Sequence, residues 1–122
     1  LLSLLLPGTK TASASSLWAR KHDHETPIEP EACSVILDGS GNPRCIVETT
    51  HADIVAYQDV TAEFARAEGE HEPLDLPDDR VFEHWRKGHW AFFGHTLTPL
   101  GRHPKQDMPV ICERFKVIYQ ES

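Results

Sequence analysis

The chain is poor in the residues that staple small proteins or hold metals. Its three cysteines, Cys33, Cys45 and Cys112, form no Cys-x-x-Cys pair. An odd count at wide spacing excludes a disulfide framework and reads as free thiols on buried strand positions, in a reducing compartment. Long apolar runs are missing: nothing approaches the roughly 18–20 residues of a membrane span. Leu1–Leu6 is interrupted by Ser3 and ended by Pro7, and reads as the last turns of a helix. No basic leader with a cleavage site is present, so a cytoplasmic protein without a signal peptide is expected. Cations are scarce, with 12 Lys and Arg against 19 Asp and Glu and a net charge of −7. That balance excludes a nucleic-acid clamp spread over the whole surface. The eight histidines include no His-Glu-x-x-His and no pair at the i, i+4 spacing of a helical zinc site, so no protein-held metal is expected. Internal repeats are absent as well.

What remains is one domain, 1–122, with 39% apolar and 25% charged residues, enough for a modest core. The most informative stretch is Gly8-Thr-Lys-Thr-Ala-Ser-Ala-Ser-Ser-Leu-Trp18. It reads as a tight loop that sets the Lys10 ammonium beside the hydroxyls of Thr11, Ser13, Ser15 and Ser16. Such a loop holds a phosphate or a carbonyl, or places a lysine beside a hydroxyl nucleophile. It is not the phosphate loop of nucleotide hydrolases, because the upstream glycine is missing and Leu5 stands in that stretch. Residues 1–22 carry Lys10, Arg20 and Lys21 with no acid, so the remaining 100 residues carry −10. A basic, hydroxyl-rich segment on an acidic body suits a small anion site.

Residues 22–31 read as a polar loop. Cys33–Asp38 and Arg44–Thr50 alternate as strands across the turn Asp38-Gly-Ser-Gly-Asn-Pro43, which predicts an antiparallel hairpin. Ile54–Tyr57 is a short further strand. Asp59 or Thr61 caps a helix ending at Gly69, with Val60, Phe64 and Ala67 as its apolar stripe. Residues 70–79 form an acidic connector. From Val81 to Leu97, Val81, Phe82, Trp85, His89, Phe92 and Phe93 share one helical face. Pro109–Tyr119 is a long strand with Ile111, Phe115, Val117 and Tyr119 on one side. The expected class is α+β: a small mixed or antiparallel β-barrel or curled sheet, flanked by helices, with a cleft between them.

Several side chains in this frame carry chemistry. Lys10 is a general base if burial withdraws its proton, or a point charge for phosphate. Ser13, three residues on, is the candidate nucleophile, with Thr11 and Ser15 as competitors. Glu68 falls four residues after Phe64 and leans toward the buried stripe, where a carboxylate shuttles protons. Glu48 and Glu113 share strand faces with apolar residues and call for partners such as Arg44 or Arg114. His89 reads as a hydrogen-bonded core histidine. Trp90 falls off the apolar stripe and is free to stack on a base, and Trp18 is placed to wall a pocket beside Lys10.

Taken together, residues 8–13, the hairpin Asp-Gly-Ser-Gly-Asn-Pro-Arg-Cys-Ile-Val-Glu-Thr-Thr at 38–50, Ala-Glu-Phe-Ala-Arg-Ala-Glu-Gly at 62–69, His-Trp-Arg-Lys-Gly-His-Trp-Ala-Phe-Phe at 84–93 and Met-Pro-Val-Ile-Cys-Glu-Arg-Phe-Lys-Val-Ile-Tyr at 108–119 resemble the ASCH domain family. The resemblance implies a PUA-like β-barrel and an RNA- or nucleoside-directed role. Its members act as ribonucleases on single-stranded RNA or as amidohydrolases on N4-acylated cytidine; a module that only binds RNA or a modified base is the third reading. The family's Lys, hydroxyl and Glu fall on Lys10, Ser13 (serine in place of threonine) and Glu68. Gly8, Thr11, Ser15, Trp18, Arg20 and Trp90 would then contact substrate. No tightly bound cofactor is implied, although RNA cleavage admits a divalent cation such as Mg. The family's segment upstream of its first helix is expected to be missing from this sequence.

Overall fold

Alternation builds the sheet. In Pro43–Ala56 the side chains of Cys45, Val47 and Thr49 are buried, while those between them are half-buried. The computed structural model describes residues 10–25, 28–69 and 76–121. Within them lie strands β1 (Ala12–Ser16), β2 (Cys33–Leu37), β3 (Pro43–Ala56) and β4 (Pro109–Gln120) and helices α1 (Leu17–His22), α2 (Ala62–Glu68) and α3 (Asp78–Leu97). The strands pair antiparallel in the order β1-β4-β3-β2. Register shifts at Ile46/Val47 and Thr49/His51 bend β3 against β4, and irregularities of this kind raise local twist. The result is a four-stranded, curled half-barrel with helices packed on it, an α+β fold as expected.

The hairpin closes through Asp38. Its carboxylate accepts from the backbone amides of Ser40 (2.9 Å) and Asn42 (3.0 Å). The Asn42 amide first, then that of Ser40, holds the Asp38 carboxyl below the usual carboxylate range. Gly41 supplies the left-handed residue of the turn, at φ 83°. At α2, the Thr61 hydroxyl accepts from the Phe64 amide (3.1 Å) and Gly69 ends the helix at φ 68°. The core packs Phe64, Val81, Trp85, Phe93 and Leu97 from the helices against Ala12, Met108 and Val110 at the sheet.

Four expectations change. The hydroxyl loop is an edge strand: Ala12 and Ala14 pack on the core between the serines, and Ser13 sits in register with Glu113. Serine's turn chemistry appears only at the strand's end, where the Ser16 hydroxyl caps α1 by accepting from the Ala19 amide (3.3 Å). Ile54 belongs to β3, which runs unbroken to Ala56 because β4 pairs with it on both sides of the irregularity. The expected one-sided pattern of β4 fails: Val110, Ile111 and Cys112 are all buried, whereas Tyr119 is exposed beyond the register shift. The strand carboxylates find other partners. Glu113 accepts from the Thr49 hydroxyl (2.5 Å), Glu48 faces Lys116 (3.5 Å), and Arg114 forks onto Glu63 of α2 at 2.7 and 2.9 Å. Leu1–Leu6 lies outside the described residues, among which no helix is long and apolar enough to cross a membrane.

The thiols divide by exposure. Cys45 and Cys112 are buried and Cys33 is exposed on edge strand β2, against the expectation that all three would be buried. Burial, and then the charge of Glu68, pushes the Cys112 thiol up to about 12. Titration with a chromogenic disulfide at about pH 8, where that thiol carries no appreciable thiolate, should label Cys33 alone in the native protein and all three thiols after denaturation. Labelling of Cys112 without unfolding would contradict this packing.

Candidate functional site

Glu68 is the last residue of α2 and only 2% exposed. Phe64, one turn earlier, directs that face inward, and Gly69 lets the chain leave sharply behind it. An ionised carboxylate taken out of water loses several kcal/mol of solvation, so its surroundings must replace the lost hydrogen bonds. They come from three side chains, two on α3 and one just before β1. The indole Nε1 of Trp85 donates to Oε1 at 3.1 Å, and the Nε2 of His89 lies 3.1 Å from Oε2. The Lys10 ammonium, 5% exposed just before β1, is 3.7 Å from Oε2 and donates to the Glu68 backbone carbonyl at 3.4 Å.

Trp85 and His89 are one turn apart on α3, and their rings stack at 4.2 Å and 17°. The Nδ1 of His89 lies 2.9 Å from the Trp85 carbonyl. A carbonyl only accepts, so Nδ1 carries a hydrogen. Nε2 then faces a carboxylate oxygen, and their 3.1 Å contact needs one proton, held either by the ring or by Oε2.

A recess of about 340 Å³ opens between β1, α2 and α3. Ser13, Ala14 and Ala65 line it with Glu68, and Trp85, His89 and Phe92 complete an apolar wall. β1 is an edge strand, and both Ser13 and its neighbour Ala14 reach the opening. Among the described residues, no lysine or arginine lines it. The Ser13 hydroxyl has no hydrogen-bond partner among the described residues.

The predicted residues separate into two groups. Ser13 and Glu68 share the recess, and Lys10 stands against Glu68. The expected substrate contacts are not assembled with them. Thr11 is exposed and clamps the strand to α2, its amide donating to the Ala67 carbonyl at 2.8 Å. Ser15 is half-buried opposite Ile111. Trp18 packs on the core beneath the Arg102 guanidinium (4.6 Å), and Arg20 pairs with Glu25 (3.4 Å). Trp90 lines a second groove on another side of α3. Gly8 lies outside the described residues. The separation follows from the strand: an extended segment fans its side chains apart, where a loop would converge them. The sequence reading passed over His84 and Gly88 as recess residues; both face the same side of α3 as Trp85, and helical spacing was the available signal. Among the described residues, no group of three or more His, Cys, Asp or Glu side chains is placed to hold a metal ion.

A model of the ASCH domain matches residues 1–119. The crystal structure of an ASCH domain from Lactobacillus crispatus superposes with a TM-score of 0.83 at 30% identity, covering 97% of this chain and 70% of that one. The crystal structure of an Enterococcus faecalis protein of family DUF984 gives 0.82 at 31% identity, covering 97% of this chain and 66% of that one. The chain thus spans about two thirds of the length of these structures. No curated protein matches it.

The buried carboxylate should behave as a coupled unit with its partners. Glu68→Ala removes a buried carboxylate acceptor from Lys10, the Trp85 N–H and His89, and should lower stability to urea by about 3–5 kcal/mol. Lys10→Met and Glu68→Gln combined should lose less than the sum of the single losses, by about 1 kcal/mol or more. Additive losses would show that the ammonium and carboxylate do not interact.

Proposed function

The chain belongs to the ASCH domain family, generally a PUA-like RNA-binding fold, and from that premise we propose that its recess takes one pyrimidine base and removes an acyl group from the base's exocyclic nitrogen. The observation that carries this reading is the meeting of the Ser13 hydroxyl and a buried, cation-backed Glu68 in one recess of about 340 Å³. That size is at the lower end for small-ligand pockets, which run from about 300 to 1,000 Å³. It suits a base or nucleoside. Apolar walls of Trp85 and Phe92 suit a flat ring.

The chemistry divides among the residues present. Ser13 Oγ attacks the acyl carbonyl carbon and gives its proton to Glu68. The C–N bond breaks, the exocyclic nitrogen takes a proton back from Glu68, and the free base leaves. Water, giving a proton to Glu68, then attacks the acyl-serine ester; the C–Oγ bond breaks, the carboxylic acid leaves, and Glu68 returns the proton to Ser13 Oγ. Lys10 holds the carboxylate in place, and His89 fixes its orientation through Oε2.

The ribonuclease reading asks for a cation on the phosphodiester. Lys10 is directed at Glu68, and among the described residues no lysine or arginine lines the recess, which favours amide hydrolysis. Incubation with N4-acetylcytidine should release cytidine, detected by chromatography. Ser13→Ala should slow release by about 100-fold or more while leaving thermal unfolding unchanged, since the hydroxyl anchors nothing in the fold. Cleavage of single-stranded RNA with no cytidine formed would favour the phosphodiester reading, and nucleoside binding without product would make the domain a binding module.

A further inference from the structure

Helix α3 has two distinct faces. Val81, His84, Trp85 and Gly88 turn toward the recess. The far side forms a wall of a groove of about 660 Å³, lined by Tyr57, Phe82, Arg86 and Trp90 with their neighbours. Tyr57 is almost fully buried there, its hydroxyl donating to the Arg86 carbonyl (2.8 Å) and its ring 5.3 Å from that of Trp90. Trp90 is 37% exposed, and its indole N–H has no partner among the described residues. The Arg86 guanidinium lies over the Phe82 ring at 5.5 Å and donates to the Gln106 side chain at 3.4 Å. Trp, Tyr and Arg are the residues on which protein–protein contacts most depend.

The order of charge along this face is the second observation. The groove holds the acids Asp79 and Glu83 and the cations Arg86 and Lys87, so it selects neither an anion nor a cation. Asp79, Glu83, Arg86 and Trp90 follow one another at intervals of four, three and four residues, and all four are exposed. At 3.6 residues per turn they fall within a sector of about 60°, a single row along the helix. The acceptors occupy its first half. The donors, a guanidinium and an indole N–H, occupy its second half. Intervals of four, three and four are the same in both directions. A row turned end for end therefore sets every acceptor against a donor, with position 83 meeting 86 and position 79 meeting 90. Glu83 also faces Lys87 at 3.3 Å, an exposed pair that is worth little in water and leaves the carboxylate room for a second donor.

We propose that a second copy of this chain covers the groove, the two α3 helices running antiparallel about a two-fold axis level with residues 84 and 85. Glu83 of each protomer meets the partner's Arg86, and Asp79 accepts from the indole N–H of the partner's Trp90. A two-fold contact uses the same patch twice, so one self-complementary row supplies both sides. Along the helix the inner positions are about 4.5 Å apart and the outer ones about 16.5 Å, so the four contacts span about three turns. Helix axes packed in this way lie about 8–10 Å apart, within reach of Glu and Arg side chains. The recess opens on the other side of α3, and both protomers keep it free.

Sedimentation of the full chain from about 1 µM to about 1 mM brackets weak and moderate self-association, and wild type should pass from monomer to dimer within that range. Glu83→Arg and Arg86→Glu should each favour the monomer, because each sets like charges together at both crossings. An equimolar mixture of these two variants should dimerise, since every crossing then joins opposite charges. Both exchanges in one chain should restore self-association as well. Trp90→Ala should weaken dimerisation about five-fold or more. All three positions are exposed, so thermal unfolding of the monomer should stay near wild type. A wild-type monomer throughout the range overturns the pairing and leaves the groove to a different protein. A dimer indifferent to both single exchanges and to Trp90→Ala also overturns it and puts the contact elsewhere on the molecule. Loss of the dimer in both single variants without recovery in their mixture overturns the antiparallel register.

Discussion

A carboxylate withdrawn from water decides how this domain is held together. Glu68 requires donors on both oxygens, and no single element supplies them. Lys10 comes from the entry to β1, and Trp85 and His89 come from the middle of α3. Satisfying the acid therefore brings the sheet edge and two helices to one point. The opening beside it is the space left when three elements of different width meet around a polar centre. Replacing such a centre with apolar side chains is often neutral or stabilising in proteins, so stability alone does not account for burying an ammonium and a carboxylate together.

The rest of the sheet supports this arrangement at some distance. Arg114 of β4 forks onto Glu63 and lies over the Phe64 ring, so the strand neighbouring β1 grips the helix that carries Glu68. Thr11 grips the same helix at its far end through the Ala67 carbonyl. Two fastenings therefore fix α2 at a separation of one turn. The exposed Arg114–Glu63 pair is worth little in isolation, but its bidentate geometry limits the helix's rotation.

Periodicity made most of this fold legible. The hairpin at 38–43, the cap at Thr61, the stop at Gly69 and the long helix ending near Leu97 each followed from local chemistry. Glu68 was legible too, because its spacing from Phe64 placed it on the buried stripe. The segment at 12–16 was not. Serine and threonine signal turns, and only tertiary pairing with β4 makes them a strand. Believing in a loop led to the expectation that Thr11, Ser15, Trp18 and Arg20 would converge, whereas an extended backbone and the helix after it disperse them. The partnership of His89 with Glu68 joins residues 21 apart in sequence, across residues outside the described set, and no local pattern encodes that.

The sheet order has a kinetic side. β2 and β3 are joined by a short turn and can zip as soon as both exist, but β1 has only β4 as a neighbour, with Ala12 opposite Arg114. Closing so long a stretch of chain forfeits entropy before any contact repays it, which makes such pairings slow. The first strand must wait, unzipped, for the last one to be synthesised. Until it docks, Lys10 and Glu68 are not held together, and the recess beside them is the final piece of the molecule to mature.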